Sequence, residues 1–353
     1  MKKLEILEFG RGFAAFYVLM HHLRPLRDTP FDILFRFGQE AVILFFLVSG
    51  FVIYLSCQAS KPSLSKYLAA RAMRIYPVFL LSILLSYVVN LIVGDERCAT
   101  LKELAGNLLM LQDRVGLQPG AFVSPFCENT PLWSLSYEWW FYCAFAAIAF
   151  TRPACSWDVK RAVVATISLG GLLSYVFHPS QPAIFAAYFG LWWAGAELAR
   201  EYILKGRTSM RGQLFSLIIL SLGTAIYLVV AAKFFLEGQP IRFGYPMLQV
   251  RHFASGIVLL LVAIFALRRE RIIPRFANPF LRIAPISYGL YVSHLPILLL
   301  LQESGLPRIV AVVIAVPCCL VVAYILELKA HPWIISKIRG KQYKRVAVDV
   351  PDS

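Results

Sequence analysis

Phe9-Gly-Arg11-Gly-Phe-Ala-Ala-Phe-Tyr-Val-Leu-Met-His21-His22 is an apolar run with an arginine near one end and two histidines near the other. It reads as the opening span of a polytopic membrane protein. Ionisable side chains are expensive inside a bilayer, so an intramembrane Arg and His mark a functional site by default. Arg11 and His22 stand eleven positions apart, close to three helical turns, or about 16 Å along the axis. They share a face, with Ala15 and Val18 between them, and His21 points roughly 100° away. His22 is therefore the candidate functional histidine. The alternative is that both rings are interfacial groups near a helix end.

The whole chain supports a membrane reading. Of its 353 residues, 59% are hydrophobic and only 16% charged, against roughly 45–50% and about 25% in soluble domains. One core cannot bury that excess. The formal net charge of +15 would point to nucleic acid in a soluble chain. Here it follows from Lys and Arg gathering in cytoplasmic connections, so no nucleic-acid partner is expected. Met-Lys-Lys could open a signal peptide, but no long uncharged run and no small-residue cleavage site follow. The first segment is read as a retained span.

About ten spans of near-bilayer length are expected, at roughly 10–24, 40–58, 76–94, 132–150, 162–178, 184–200, 214–234, 248–267, 283–302 and 308–327. Basic residues crowd alternate connections: Lys61 to Arg74, Arg152 to Arg161, Arg200 to Arg211, Arg268 to Arg282 and the tail from Lys329. That set, with Lys2 and Lys3, holds more than twice the basic residues of the opposite set. The expectation is an all-α polytopic membrane protein with both termini cytoplasmic. Residues 1–330 form its transmembrane domain, and 331–353 a basic cytoplasmic tail without ordered structure. The connection 95–131 is the longest on the opposite side and is placed to cover an external mouth. Cys98 and Cys127 fall in it and either pair or stay free. Cys57, Cys143, Cys318 and Cys319 lie in spans as packing residues, and no cysteine spacing suits a metal.

Four further stretches carry chemistry. In Lys66-Tyr-Leu-Ala-Ala-Arg71-Ala-Met-Arg74-Ile-Tyr-Pro77, Arg71 and Arg74 are i,i+3 neighbours. Two guanidinium forks at a membrane entry suit a phosphorylated ligand or plain anchoring to anionic lipid. No Walker-type glycine loop stands anywhere for a nucleoside triphosphate. Ser134, Glu138 and Tyr142 form an i, i+4, i+8 stripe in the fourth span, where Glu138 requires a partner. Ser287, Tyr291 and His294 form a similar stripe in the ninth, followed by Pro296, which can kink the helix. In the second span, Ser49 can bond across helices and Gly50 lets a backbone approach closely. Glu197 with Arg200, and His252 beside Arg251, are read as pairing or snorkelling groups near span ends. A bundle with inward polar stripes and a positioned base fits a transfer to an acceptor hydroxyl.

Taken together, Arg11-Gly-x-Ala-Ala-x-x-Val-x-x-x-His22, Phe45-Phe-x-x-Ser49-Gly50-Phe51, Arg71-x-x-Arg74-Ile-x-Pro77, Trp133-Ser134-Leu-x-x-Glu138-x-x-Phe141-Tyr142 and Ser287-Tyr288-x-x-Tyr291-x-x-His294 resemble acyltransferase family 3. The motifs run in family order from the first span to the ninth. The resemblance implies a ten-helix bacterial inner-membrane enzyme. It would move an acyl group, usually acetyl, from cytoplasmic acyl-CoA to a sugar or glycan hydroxyl at the external face, without a metal and alongside polysaccharide-assembly partners. By matching positions, His22 is the base, Arg11 its companion, and Arg71 and Arg74 the CoA-side pair. Glu138 of the fourth-span motif is the third candidate catalytic residue, and Tyr142 of the same motif joins Ser49, Ser287, Tyr291 and His294 as substrate-binding or supporting residues. Two departures stand out. Many relatives carry an acidic residue just before the Phe-Phe of the second span, where Ile43 stands here. No SGNH-like domain is expected to follow. The rival from another class is a secondary transporter or flippase of a glycan or lipid precursor, which also needs intramembrane Arg, Glu and His. A weaker third reading is an envelope assembly protein that needs none of them.

Overall fold

The computed structural model describes residues 5–25, 27, 29–94, 100–151, 155–239, 243–268 and 277–348. Among the described residues the chain is helical, with one isolated bridge between Gln112 and Val123. The helices are α1 (Glu5–Leu23), α2 (Gly38–Ser60), α3 (Leu64–Val93), α4 (Leu101–Leu108), α5 (Trp133–Thr151), α6 (Trp157–Phe177), α7 (Gln181–Lys205), α8 (Leu214–Leu236), α9 (Met247–Ala266), α10 (Asn278–Ile283), α11 (Ser287–Glu303), α12 (Arg308–Tyr324) and α13 (His331–Val348). A long helix stands at each of the ten expected segments. Among the described residues, 7 helices are long and apolar enough to cross a membrane. The long helices outside that set are α1, α5 and α7, each of which turns polar or charged groups inward, among them Arg11, Glu138 and Glu197.

The physical reason is burial. α7 presents no solvent or lipid face over most of its length: from Ala183 to Ala199, all but Ala186 are buried. It is the axis of the bundle, enclosed by other helices on every side, and its buried Gln181, Glu197 and Glu201 each find hydrogen-bond partners there. α2 crosses it backbone to backbone. A Cβ on Gly50 would stand 2.0 Å from the carbonyl oxygen of Trp192, and one on Gly195 would stand 1.9 Å from that of Leu47. Small residues allow this approach, which gives dispersion contact where lipid offers no hydrophobic drive. The outer helices turn Leu80, Leu84, Leu91, Val229, Val258, Val262 and Val313 outward, as a lipid-facing surface requires.

The connection between α4 and α5 is not loose. Gln181 donates to Leu111 O and accepts from Phe122 N, Asn107 binds Ser124 O and Phe126 N, and Tyr175 donates to Pro119 O. Asn129 donates to Ser86 Oγ and to Val292 O, tying this segment to α3 and α11. Cys127 is disulfide-bonded. Cys98, the partner weighed for it in the sequence, lies outside the described residues, as do Arg97, Arg152 and Arg242.

Two expectations are corrected. Residues 331–348 of the tail are helical, because α12 runs through the wide turn Ile325–Ala330 directly into α13. Residues 349–353 lie outside the described residues. Glu197 pairs with Arg161 rather than Arg200: Arg161 donates through Nε and Nη2 at 2.9 Å each, and Trp157 and Trp193 add indole N–H bonds. Arg200 instead lies over the Trp157 ring.

Candidate active site: two chambers sharing a tyrosine

The larger cavity, about 660 Å³, opens where α2 ends and α3 and α13 begin. Its size falls in the usual small-molecule range of about 300–1,000 Å³. Lys66, Arg71 and Arg74 line it from α3, Arg11 from α1 and His331 from α13; Ser49, Ser134, Glu138, Tyr142, Ser287 and Tyr291 line its depth. The charge is arranged in layers. Arg74 is engaged by Glu327, at 2.8 and 3.3 Å, and Glu327 also accepts from Gly289 N. Glu327 is buried in the wide turn after α12, so this pair fixes α3, α11 and the last helix to one another. Arg71 is held differently. Its guanidinium lies over the Tyr67 and Tyr142 rings and, among the described residues, meets no carboxylate; its Nε is buried without a partner. The expected arginine pair thus divides into one clamped cation and one available cation.

Deeper, Glu138 has the partner its burial demands. It accepts from Ser49 Oγ at 2.9 Å and from the Tyr142 hydroxyl, while Trp192 Nε1 donates to Ser49 Oγ at 3.1 Å. The Ser134–Glu138–Tyr142 stripe therefore splits: Glu138 and Tyr142 close on Ser49, whereas Ser134 bonds to Tyr291. Arg11 reaches Ser287 Oγ at 3.4 Å and Glu8 at 3.6 Å. Ile43, at the position where the sequence departs from the family pattern, is fully buried in the main apolar core.

His22 is in a separate, smaller chamber of about 110 Å³ at the opposite end, with His21, Gln39, Arg114, Thr130 and Trp133. Tyr291 lines both chambers. Its hydroxyl is 2.7 Å from Ser134 Oγ and 2.7 Å from Pro131 O, so its side chain bridges α11, α5 and the segment before α5. The three histidines here differ in their bonding. His21 Nδ1 is 2.6 Å from Phe35 O, and His294 Nδ1 is 3.0 Å from Leu290 O. Neither ring nitrogen of His22 is hydrogen-bonded to a described residue, and its ring centroid is 5.1 Å from that of His294. A backbone carbonyl at Nδ1 keeps the proton there and leaves His294 Nε2 as an acceptor; that nitrogen is buried and unpartnered.

The structure therefore revises the relation between Arg11 and His22. They share α1, but they open into different chambers. His21, assigned to another face by helix geometry, lines the same small chamber as His22 because that chamber wraps the end of α1 rather than one side of it. Glu327, Arg114 and Trp192 belong to the site and were not singled out from the sequence. A lone Glu in the apolar run Ile325-Leu-Glu-Leu328 was the available signal for the first; position 114 carried none. Among the described residues no group of three or more His, Cys, Asp or Glu is placed to hold a metal ion.

Fold and site define a polytopic helical membrane protein with a two-chambered polar interior. The family of the acyltransferase domain matches residues 4–328, nearly the whole chain, and the protein belongs to that family: it is a membrane acyltransferase. A protein of Acidianus two-tailed virus, ORF330, whose name proposes an acetyltransferase, is 25% identical over 309 residues, covering 86% of each chain. The acyltransferase MdmB of Streptomyces mycarofaciens is 33% identical over 145 residues, covering 38% of this chain and 36% of its own. No solved structure matches.

Proposed function

We propose that the protein transfers an acetyl group from acetyl-CoA, entering the larger chamber from the cytoplasm, to a hydroxyl of an extracytoplasmic or lipid-linked glycan in the smaller chamber. In this reading all ten long helices cross the bacterial inner membrane and both termini are cytoplasmic. The observation that carries it is the pair of back-to-back chambers, one with basic residues at its mouth and one with an unbonded imidazole, sharing Tyr291. Phosphates of CoA meet Lys66 and the available fork of Arg71, since guanidinium and phosphate geometries match. The pantetheine arm passes Arg11 and Ser287 towards Tyr291. His22 takes the proton of the acceptor hydroxyl as its oxygen bonds the thioester carbonyl carbon. The C–S bond then breaks, and the CoA thiolate leaves with the proton from the imidazolium. Arg11 stands about 16 Å from His22 along α1, so its role is to orient the donor rather than to hold the tetrahedral oxyanion. The transporter alternative lacks comparable support, since both relatives carry names of transferases.

The test has two arms. Acetylation of the endogenous surface glycan is measured in cells carrying His22→Ala or His21→Ala, and the first is expected to abolish it. Thermal unfolding of purified protein is followed with CoA, which should raise Tm by mass action on the folded state. Normal glycan acetylation by folded His22→Ala protein would remove the proposed base. No shift with millimolar CoA would remove the donor.

A further inference from the structure

The smaller chamber contains a charge that the transfer chemistry above does not use. Arg114 lies in the segment between α4 and α5 and lines that chamber beside His21, His22, Gln39 and Tyr291. Its guanidinium makes no hydrogen bond or ion pair with a described residue. Its immediate neighbour Asp113 attracts it without a direct hydrogen bond to the guanidinium: one carboxylate oxygen accepts from Tyr137 Oη at 2.7 Å and the other from the backbone N–H of Arg114 itself, at 2.7 Å. Two other acids on this side are engaged elsewhere. Asp32 is held by Arg24 and Arg36, and Glu40 by Arg251. An arginine stays cationic in any protein setting, and this half-buried guanidinium has its hydrogen-bonding fork free to meet an anion that enters the chamber. Gln39 adds a buried carbonyl oxygen, Oε1, with no donor, which matches a ligand hydroxyl.

We infer that the acceptor is anionic: a sugar or other polyol carrying a carboxylate or phosphate group that Arg114 binds while a neighbouring hydroxyl faces His22. A guanidinium fork on a carboxylate or phosphate fixes orientation as well as affinity, and so selects which hydroxyl meets the base. This reading rests on the assignment of the small chamber to the acceptor, but not on the identity of the donor.

Binding of free probes to the full-length purified protein tests it by thermal unfolding, without acetyl-CoA. D-glucuronate represents the carboxylate source, glucose 6-phosphate the phosphate source and glucose the neutral control. At least one anionic probe is expected to raise Tm where glucose does not, and the stronger of the two identifies the anion. Arg114→Gln should weaken that probe about tenfold or more, the size of one lost charge-assisted hydrogen bond; Arg114→Lys should retain part of the effect. Arg71→Ala, at the other chamber, should leave it unchanged. Equal stabilisation by glucose and the anions would overturn the inference. So would no stabilisation by either anion, undiminished binding by Arg114→Gln, or loss in Arg71→Ala alone. CoA binding is measured separately, so failure here and failure of the transferase reading are distinct results.

Discussion

The Tyr291 hydroxyl lies 2.7 Å from Ser134 Oγ at the place where the two chambers meet. Tyrosine has one proton to give, and Pro131 O, also 2.7 Å away, can only accept. Tyr291 therefore donates to the carbonyl, and Ser134 donates to Tyr291. The ring is braced by Phe45 at a centroid distance of 5.6 Å. One side chain, fixed by two hydrogen bonds and an aromatic contact, stands between the proposed donor and the proposed base.

Tyr291 should control water as well as substrate. Tyr291→Ala is expected to join the chambers, so that acetyl-CoA is hydrolysed without an acceptor while glycan acetylation falls. Excluding water from a reactive thioester is a recognised function of closed sites. Tyr291→Phe keeps the ring and loses both hydrogen bonds; its hydrolysis should lie between wild type and Tyr291→Ala. Free CoA released by purified protein with acetyl-CoA alone is the measurement. Hydrolysis no faster in Tyr291→Ala than in wild type would show that the side chain is not a barrier.

The two α3 arginines should separate by readout. Arg74→Ala strands the buried carboxylate of Glu327, and removing one partner of a buried pair typically costs about 3–5 kcal/mol. Arg74 is itself partly open, so the lower end or less is expected, seen as a clear fall in Tm. Arg71→Ala breaks no carboxylate contact and should leave Tm nearly unchanged, while the CoA-induced rise in Tm shrinks. The reverse assignment of effects would mean that the cation held by Glu327, not Arg71, binds the donor.

Much of this architecture was legible in the sequence because long, predominantly apolar runs fold as helices, and seven of the long helices qualify as membrane spans by length and apolarity alone. All ten expected segments are helices, and the inward stripes were visible from helical periodicity. What periodicity could not supply was the third dimension. It placed Arg11 and His22 on one face of α1, yet a side chain from α11 stands between their surroundings. It gave Arg71 and Arg74 equal standing, because Glu327 lies more than 250 positions away in sequence. Arg114 was unreadable for a different reason: a loop has no period, and its position depends on Asn107, Asn129 and Gln181 bonding to backbone groups across the bundle.

Gly50 provides a stability check with no catalytic content. Gly50→Ala would put a methyl carbon 2.0 Å from Trp192 O, where the opposing atom is backbone and cannot rotate away. α2 and α7 must then separate, displacing Ser49 from Glu138 and Trp192. The expected result is little folded protein, measured by monodisperse yield in detergent. Gly170→Ala, at a glycine with nothing within 4 Å, should behave as wild type or slightly better, since alanine favours helix. Equal yields for the two variants would refute the backbone-to-backbone crossing.

Asp113 should make stability depend on pH. Its carboxyl is buried beside Tyr137, and burial pushes its pKa from 3.8 up to about 6, against the hydrogen bonds from Tyr137 and Arg114 N. The folded state therefore holds a proton that the unfolded chain has released across that interval. Stability falls as pH rises from about 4 to about 6 and is level above, the sign for an acid raised in the native state. A shift of this size corresponds to about 3 kcal/mol. Asparagine reproduces the protonated acid: its oxygen can accept from Arg114 N and its amide can donate to Tyr137 Oη. Asp113→Asn is thus expected to match wild type near pH 4 and to exceed it in Tm at pH 7. The quantity to measure is the difference in Tm between the two proteins across that range. A difference that does not change with pH would mean that Asp113 is ionised throughout, and that its hydrogen bonds outweigh its burial.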